Sequence, residues 1–221
     1  MKILVAVPAW DGKIYADTVR SLLNEQVAAV SCGDEFQTVF LSGCGVINQV
    51  RNQLAADFLA SDADRLVFVD ADIAWNMGDL AKIAHHSAGV VGGAYRLKQD
   101  AEQYPVIWLD RPELWANEQG LLEVASLPAG FFAISRDAFM RFKEHFPDRA
   151  YMSDGREYFA YFHSPFRDNK MFSEDVNFCF EWREAGGKVW LDPELTLTHI
   201  EGGKRFTGCI GKWLKSRGET A

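Results

Sequence analysis

The sequence predicts an α/β protein with a mostly parallel central sheet and helices on both of its faces. Three observations carry that expectation. Short apolar runs alternate with helix-period segments through residues 1–95, the pattern of strand–helix–strand crossovers. The runs at 3–7 and 66–69 lack polar alternation, as strands buried on both faces do. The second run ends in Asp70-Ala71-Asp72, and open α/β sheets gather ligands outside the carboxyl ends of their strands.

Residues 2–7 are the first expected strand, and Pro8-Ala9-Trp10-Asp11-Gly12 is its turn. A helix carrying Val19, Leu22 and Leu23 follows, then a strand over 36–41. From Ile47, apolar residues recur at Val50, Leu54 and Phe58, the spacing of one helical face, and that helix ends near Ser61. Residues 65–69 are the third strand, 79–86 a helix, and 90–91 the opening of another strand. The second half reads differently. Strand-like runs lie at 104–109, 121–127 and 131–134, with a helix over 137–145. Residues 146–172 are rich in aromatic and turn residues without a period, the composition of a lid or binding segment. Ser173 is the expected cap of a helix running to Ala185 and stopped by Gly186-Gly187. Strands at 189–191 and 195–198 lead into His199. No repeat, low-complexity segment or linker interrupts the chain, so one domain over 1–221 is expected. Its halves are about 1–95 and about 96–221, the latter with a basic tail.

At 221 residues and 48% hydrophobic, the chain can bury a sizeable core. A net charge of -8 disfavours general nucleic-acid binding. Positive charge gathers after His199, at Lys204, Arg205, Lys212, Lys215 and Arg217, which fits phosphate contact or a solvated end. Cys32, Cys44, Cys179 and Cys209 show no Cys-x-x-Cys spacing, so neither a zinc knuckle nor a redox pair is expected. Free thiols fit a cytoplasmic location. The first apolar run is too short for a signal peptide, and no stretch of about twenty apolar residues offers a transmembrane span.

Two carboxylates one residue apart at a strand end suit a hard cation, Mn²⁺ or Mg²⁺, that keeps positions open for a diphosphate. The same spacing also serves as a plain strand exit, with Asp72 capping the next helix. Glu174 and Asp175 share a helix's first turn, where carboxylates stabilise the dipole or one acts as a general base. They lie about 100° apart around the helix, so they face different partners. His199, shortly before Gly202-Gly203, can offer a neutral imidazole to a metal, whereas His85 and His86 sit on a helix as ordinary polar residues. Arg51, early in the Ile47 helix, either meets a diphosphate or base or is a surface guanidinium.

These pieces form an ordered set: Val5-Ala6-Val7-Pro8 with Asp11; Val50-Arg51-Asn52; Asp70-Ala71-Asp72-Ile73; Gly92-Gly93-Ala94-Tyr95; Ala129-Gly130-Phe131-Phe132; Ser173-Glu174-Asp175-Val176; and 185–190 leading to His199. Over about residues 3–208 the set resembles GT-A glycosyltransferases, of the family-2-like kind found as compact single-domain proteins in bacteria and phages. The resemblance implies a GT-A fold and transfer of a sugar from a nucleotide-sugar, a UDP-sugar in first place, to an acceptor hydroxyl. It implies that Pro8, Trp10 and Asp11 hold the nucleoside and that Asp70 faces the ribose. Asp72 and His199, with Asp70, serve the Mn²⁺ or Mg²⁺ ion. Lys204 and Arg205 close over the diphosphate, with Arg51 on the donor side. Asp175 is the base of an inverting reaction and Glu174 its support. Gly130-Phe131 lies near the acceptor, a saccharide or another hydroxyl, and nucleic acid enters only as an acceptor through a modified base. Few residues follow His199, which disfavours processive polysaccharide synthases.

Other readings fit less well. A sugar nucleotidyltransferase wants a Gly-rich basic loop where Pro8-Ala9-Trp10-Asp11-Gly12-Lys13 stands. A non-catalytic carbohydrate-binding protein has no need of Asp70, Asp72, Asp175 and His199 together. No Gly-x-Gly-x-x-Gly follows the first strand, against a dinucleotide enzyme.

Overall fold

The computed structural model describes residues 1–111, 113–167 and 169–219. In chain order the elements begin with β1 (Lys2–Ala9), α1 (Ala16–Cys32), β2 (Glu35–Ser42), α2 (Ile47–Ala60), β3 (Arg65–Val69), β4 (Ile73–Trp75), α3 (Asp79–His85) and β5 (Val90–Gly92). There follow β6 (Leu122–Val124), β7 (Phe131–Ser135), α4 (Arg136–His145), a 3₁₀ turn (Pro147–Arg149), β8 (Ala150–Ser153), β9 (Arg156–Phe159), β10 (Phe166–Arg167) and β11 (Lys170–Met171). The chain continues through α5 (Glu174–Glu184), β12 (Val189–Leu191), β13 (Leu197–Glu201), β14 (Lys204–Gly208) and α6 (Ile210–Ser216).

A seven-stranded sheet runs in the order β2-β1-β3-β7-β5-β12-β6. β1 pairs parallel with β2 and β3, and β12 parallel with β5. β7 lies antiparallel between β3 and β5, and β6 is an antiparallel edge. The expected mostly parallel sheet is therefore present, with β7 reversed in its middle.

Strand alternation decides what each face buries. Ile3, Val5 and Val7 of β1 pack with Leu22 of α1 and Leu80 and Ile83 of α3. Leu4 and Ala6 point the other way, to Leu54 and Phe58 of α2, Phe139 and Phe142 of α4, and Phe178 of α5. Helices thus cover both faces, which is why β1 and β3 read as unbroken apolar runs. Each fully buried Leu or Phe contributes roughly 1.5–3 kcal/mol.

Several sequence expectations need correcting. In α1 only Leu22 of the three apolar residues named is buried; Val19 and Leu23 are exposed. Residues 104–109 form no strand and make one isolated bridge, Ile107 to Ser126, while the run at 121–127 is regular only over β6. The helix over 79–86 ends at His85. The segment 146–172 is not without regular structure. It holds the hairpins β8–β9 and β10–β11, and its aromatic residues Phe159, Tyr161 and Phe162 are core. Phe162 stacks on Phe178 with centroids 4.7 Å apart. Asn52 holds this segment to α2: its Nδ2 donates to the Phe162 carbonyl at 2.9 Å, and its Oδ1 accepts the Phe162 N–H at 2.8 Å. Arg149, at 2.9 Å, and His163, at 3.1 Å, hold Glu181 of α5. His199 does not follow a strand; it lies inside β13.

That last difference builds the site. β13 belongs to a second, three-stranded antiparallel sheet, β14-β13-β4. Its register sets His199 opposite Ile73, the residue after Asp72. Among the described residues no helix is long and apolar enough to cross a membrane.

Candidate active site

A cavity of about 860 Å³ opens beyond the carboxyl ends of β1 and β3. Its walls include Pro8, Trp10, Asp11, Tyr15, Arg51, Asp70, Asp72, Glu174 and Asp175. The structure therefore brings together eight of the expected site residues, from four separate stretches of chain.

The Asp70-Ala71-Asp72 turn is held by its backbone. Asp70 N donates to the Gly130 carbonyl at 3.0 Å, and Ile73 N to the Asp70 carbonyl at 3.1 Å. The Ala71 carbonyl accepts from Tyr15 N at 3.0 Å and from the Thr18 hydroxyl at 3.1 Å, and the Asp72 carbonyl accepts from Ile200 N at 2.9 Å. These bonds present the carboxylates from a fixed frame.

Arg51 is the centre of the acidic cluster. Its side chain is 3% exposed and lies over the Phe68 ring at 5.1 Å. Its Nη2 donates to Asp70 Oδ1 at 2.9 Å, its Nε to Glu174 Oε1 at 3.1 Å, and its Nη1 to the Ala129 carbonyl at 3.4 Å. Burial works against the guanidinium's charge, but Asp70, Glu174 and Asp175 outweigh it and raise its pKa above the ordinary value. Arg51 is thus not a surface residue. It orients Asp70 and Glu174. Burial raises the pKa of Glu174, with Arg51 opposing that shift.

Asp175 stands at the start of α5. Its Oδ1 accepts from Val176 N at 2.8 Å and from the Ser173 hydroxyl at 2.5 Å, and its Oδ2 accepts from Ala129 N at 3.2 Å. Ser173 occupies the N-cap position, but its hydroxyl serves Asp175 instead of capping the helix. A carboxylate offers about four acceptor positions, so Oδ2 keeps one free. Gly130 backs this wall: a Cβ there would meet Asp70 Oδ2 at 2.6 Å and Tyr95 Oη at 2.7 Å.

His199 lies beside Asp72, with Nε2 3.4 Å from Oδ2. Its Nδ1 is 2.8 Å from the Arg96 carbonyl, which can only accept. Nδ1 therefore carries a proton, while Nε2 faces Asp72, donating to the carboxylate when protonated and offering a lone pair when not. Metal-binding histidines are oriented in this way. Asp72 with His199 fits a divalent ion that takes its remaining ligands from a diphosphate and water. Among the described residues no cluster of three or more His, Cys, Asp or Glu is placed to hold a metal; the pair brought together is Asp72 and His199. Burial works against ionised Asp72, but His199 and Lys98 outweigh it and lower its pKa.

Lys204 and Arg205 are not brought into the cavity. Both are exposed on β14, where Arg205 Nη2 sits 2.7 Å from Asp17 Oδ2. Sequence reasoning missed Lys98, whose Nζ is 2.6 Å from Asp72 Oδ2, and Tyr15, whose hydroxyl accepts from Gly202 N at 3.0 Å. It also gave no role to Tyr95, which is buried edge-on against His199 at 4.8 Å. One signal could have found Lys98 and Tyr95: both leave the carboxyl end of β5, on the side where such sheets bind ligands.

No protein-family model matches this sequence, and no curated protein matches it. Solved structures do. The catalytic domain of Drosophila beta1,4-galactosyltransferase 7, in complex with xylobiose, is similar with a TM-score of 0.52 and 15% identity, covering 99% of this chain and 80% of that one. A mutant of that protein in complex with manganese, UDP-Gal and xylobiose is similar with a TM-score of 0.52 and 16% identity, covering 98% of this chain and 79% of that one. GalNAc-T7 with UDP, GalNAc and Mn²⁺ is similar with a TM-score of 0.52 and 12% identity, covering 90% of this chain but 44% of that one. These likenesses are of fold: the chain has the GT-A fold.

Proposed function

We propose that this chain is a metal-dependent glycosyltransferase that moves a sugar from a nucleotide-sugar, a UDP-sugar in first place, to an acceptor hydroxyl with inversion. One observation carries the proposal. A single cavity at the carboxyl ends of β1 and β3 is lined by Asp70, Asp72, Glu174 and Asp175, with Arg51 among them. The GT-A fold supports it, as do the Mn²⁺ and UDP ligands of two similar structures. In this reading residues 1–95 hold the donor and 96–221 face the acceptor.

Pro8, Trp10 and Asp11 line the wall where the nucleoside rests, and Asp70, fixed by Arg51, faces the ribose. Asp72 and His199 would hold the divalent ion, which when bound offsets charge on the departing diphosphate. The free position on Asp175 Oδ2 takes the acceptor's hydroxyl proton. The acceptor oxygen then bonds to the anomeric carbon. The bond from that carbon to the diphosphate oxygen breaks, and its electron pair leaves on the diphosphate. Charge at the ring passes through an oxocarbenium-like state, as in glycoside hydrolysis. Glu174 stays on Arg51 and keeps the guanidinium from closing on Asp175.

A screen of nucleotide-sugars for hydrolysis with Mn²⁺, repeated with chelator, tests this without knowledge of the acceptor. Turnover of at least one donor, lost on chelation, is expected. Metal-independent turnover, or none with any donor, overturns the proposal.

A further inference from the structure

Lys98 is a charged residue beside Asp72 to which the donor scheme gives no work. Its Nζ lies 2.6 Å from Asp72 Oδ2, the same oxygen that stands 3.4 Å from His199 Nε2. Glu201 Oε1 is 4.0 Å from the same Nζ. An ammonium thus sits against the carboxylate oxygen that a divalent ion would take.

The segment carrying Lys98 is built to deliver it. Leu97 N donates to the Gln103 carbonyl at 2.9 Å, and Gln99 N to the Leu97 carbonyl at 2.8 Å. Arg96 Nη2 braces the turn on the Asp100 carbonyl at 3.0 Å. The carbonyl of that same Arg96 receives the His199 Nδ1 proton, so one short turn orients the imidazole and places the ammonium. The Lys98 and Asp72 side chains are 28% and 24% exposed, so the pair is weak enough to exchange. A lysine is a compact charge on a flexible stem, free to swing between nearby anions.

We infer that Lys98 is a placeholder cation: its ammonium occupies Asp72 in the donor-free protein, and a metal–diphosphate complex displaces it onto the diphosphate. The inference rests on the donor reading above. Before donor binding, Lys98 neutralises Asp72 and competes with metal arriving alone. After donor binding, it adds a charge-assisted hydrogen bond to the leaving group. Metal and donor are thereby coupled: the free ion is kept weak and the loaded nucleotide made strong.

The two effects have opposite signs, which a merely structural role cannot produce. Titration calorimetry with Mn²⁺ alone, and with UDP at saturating Mn²⁺, on parent, Lys98→Met and Lys98→Arg measures both. Lys98→Met is expected to bind Mn²⁺ alone roughly two- to fivefold tighter, the size of a partly exposed ion pair, and UDP with Mn²⁺ weaker by a similar factor. Lys98→Arg should restore the parental order. Parent that binds UDP with Mn²⁺ beside a folded Lys98→Met with both constants unchanged, or both weakened, overturns the inference alone. Parent that binds no UDP with Mn²⁺ overturns the donor reading and the inference with it.

Discussion

Asp175 accepts three hydrogen bonds and has room for one more, which separates its chemical work from its structural work. Asp175→Asn nearly keeps the shape but cannot take a proton. Transfer should fall roughly 10²–10⁴-fold, the range for loss of a general base. UDP affinity with Mn²⁺ should stay near the parental value. Steady-state kinetics with calorimetry checks both, and a variant turning over near the parental rate would remove Asp175 from the scheme. Gly130 makes a second residue-scale case. A methyl group there meets Asp70 and Tyr95 at under 3 Å. Gly130→Ala should cost about 1–3 kcal/mol of stability, as overpacking does, and weaken UDP binding by moving Asp70. Unfolding in urea and UDP titration read the two effects.

At the scale of elements, what the sequence made legible was local. The β1, β3 and α2 runs carry their period in adjacent residues, and the Asp70-Ala71-Asp72 and Glu174-Asp175 pairs are contiguous. The β4–β13 pairing was not legible, because β4 is three residues and its partner lies more than a hundred positions on. Nor was the burial of Arg51, since helical spacing alone does not tell a guanidinium under Phe68 from one in water. The aromatic segment 146–172 is divided, with Phe159, Tyr161 and Phe162 in the core and Met152, Phe166 and Met171 exposed, a split that composition alone does not show. Asn52 is the test of that packing. Asn52→Ala leaves the Phe162 N–H and carbonyl without their partner, and each unsatisfied buried group costs about 1–3 kcal/mol. Chemical denaturation should show the loss, and limited proteolysis should shift to cuts within 146–172.

For the molecule as a whole, acid is the informative stress. Burial would raise the pKa of Glu181, but His163 and Arg149 outweigh it and bring it from 4.5 to about 2. A carboxylate depressed in the folded state stabilises fully above its unfolded pKa, and that contribution drains as pH falls. Stability should therefore drop between about pH 4.5 and pH 2. Glu181→Gln should flatten that slope, a difference on the order of 3 kcal/mol at most by linkage. Unfolding free energies at several pH values across that window measure it; equal slopes would remove Glu181 as the cause.

The three-stranded sheet β14-β13-β4 also has a consequence in time. A chain emerges from the ribosome amino end first, and domains form as their segments become available. The Arg51–Asp70 contact needs only the first third of the chain. The Asp72–His199 pair must wait until β13 has been made and has added itself to β4. Long-range strand pairing is slow because the intervening loop must close first. During refolding, tryptophan burial should precede competence to bind Mn²⁺, and a stopped-flow experiment following both signals should resolve the lag. A newborn copy would pass through a stage in which Asp72 stands without His199, until β13 is in place.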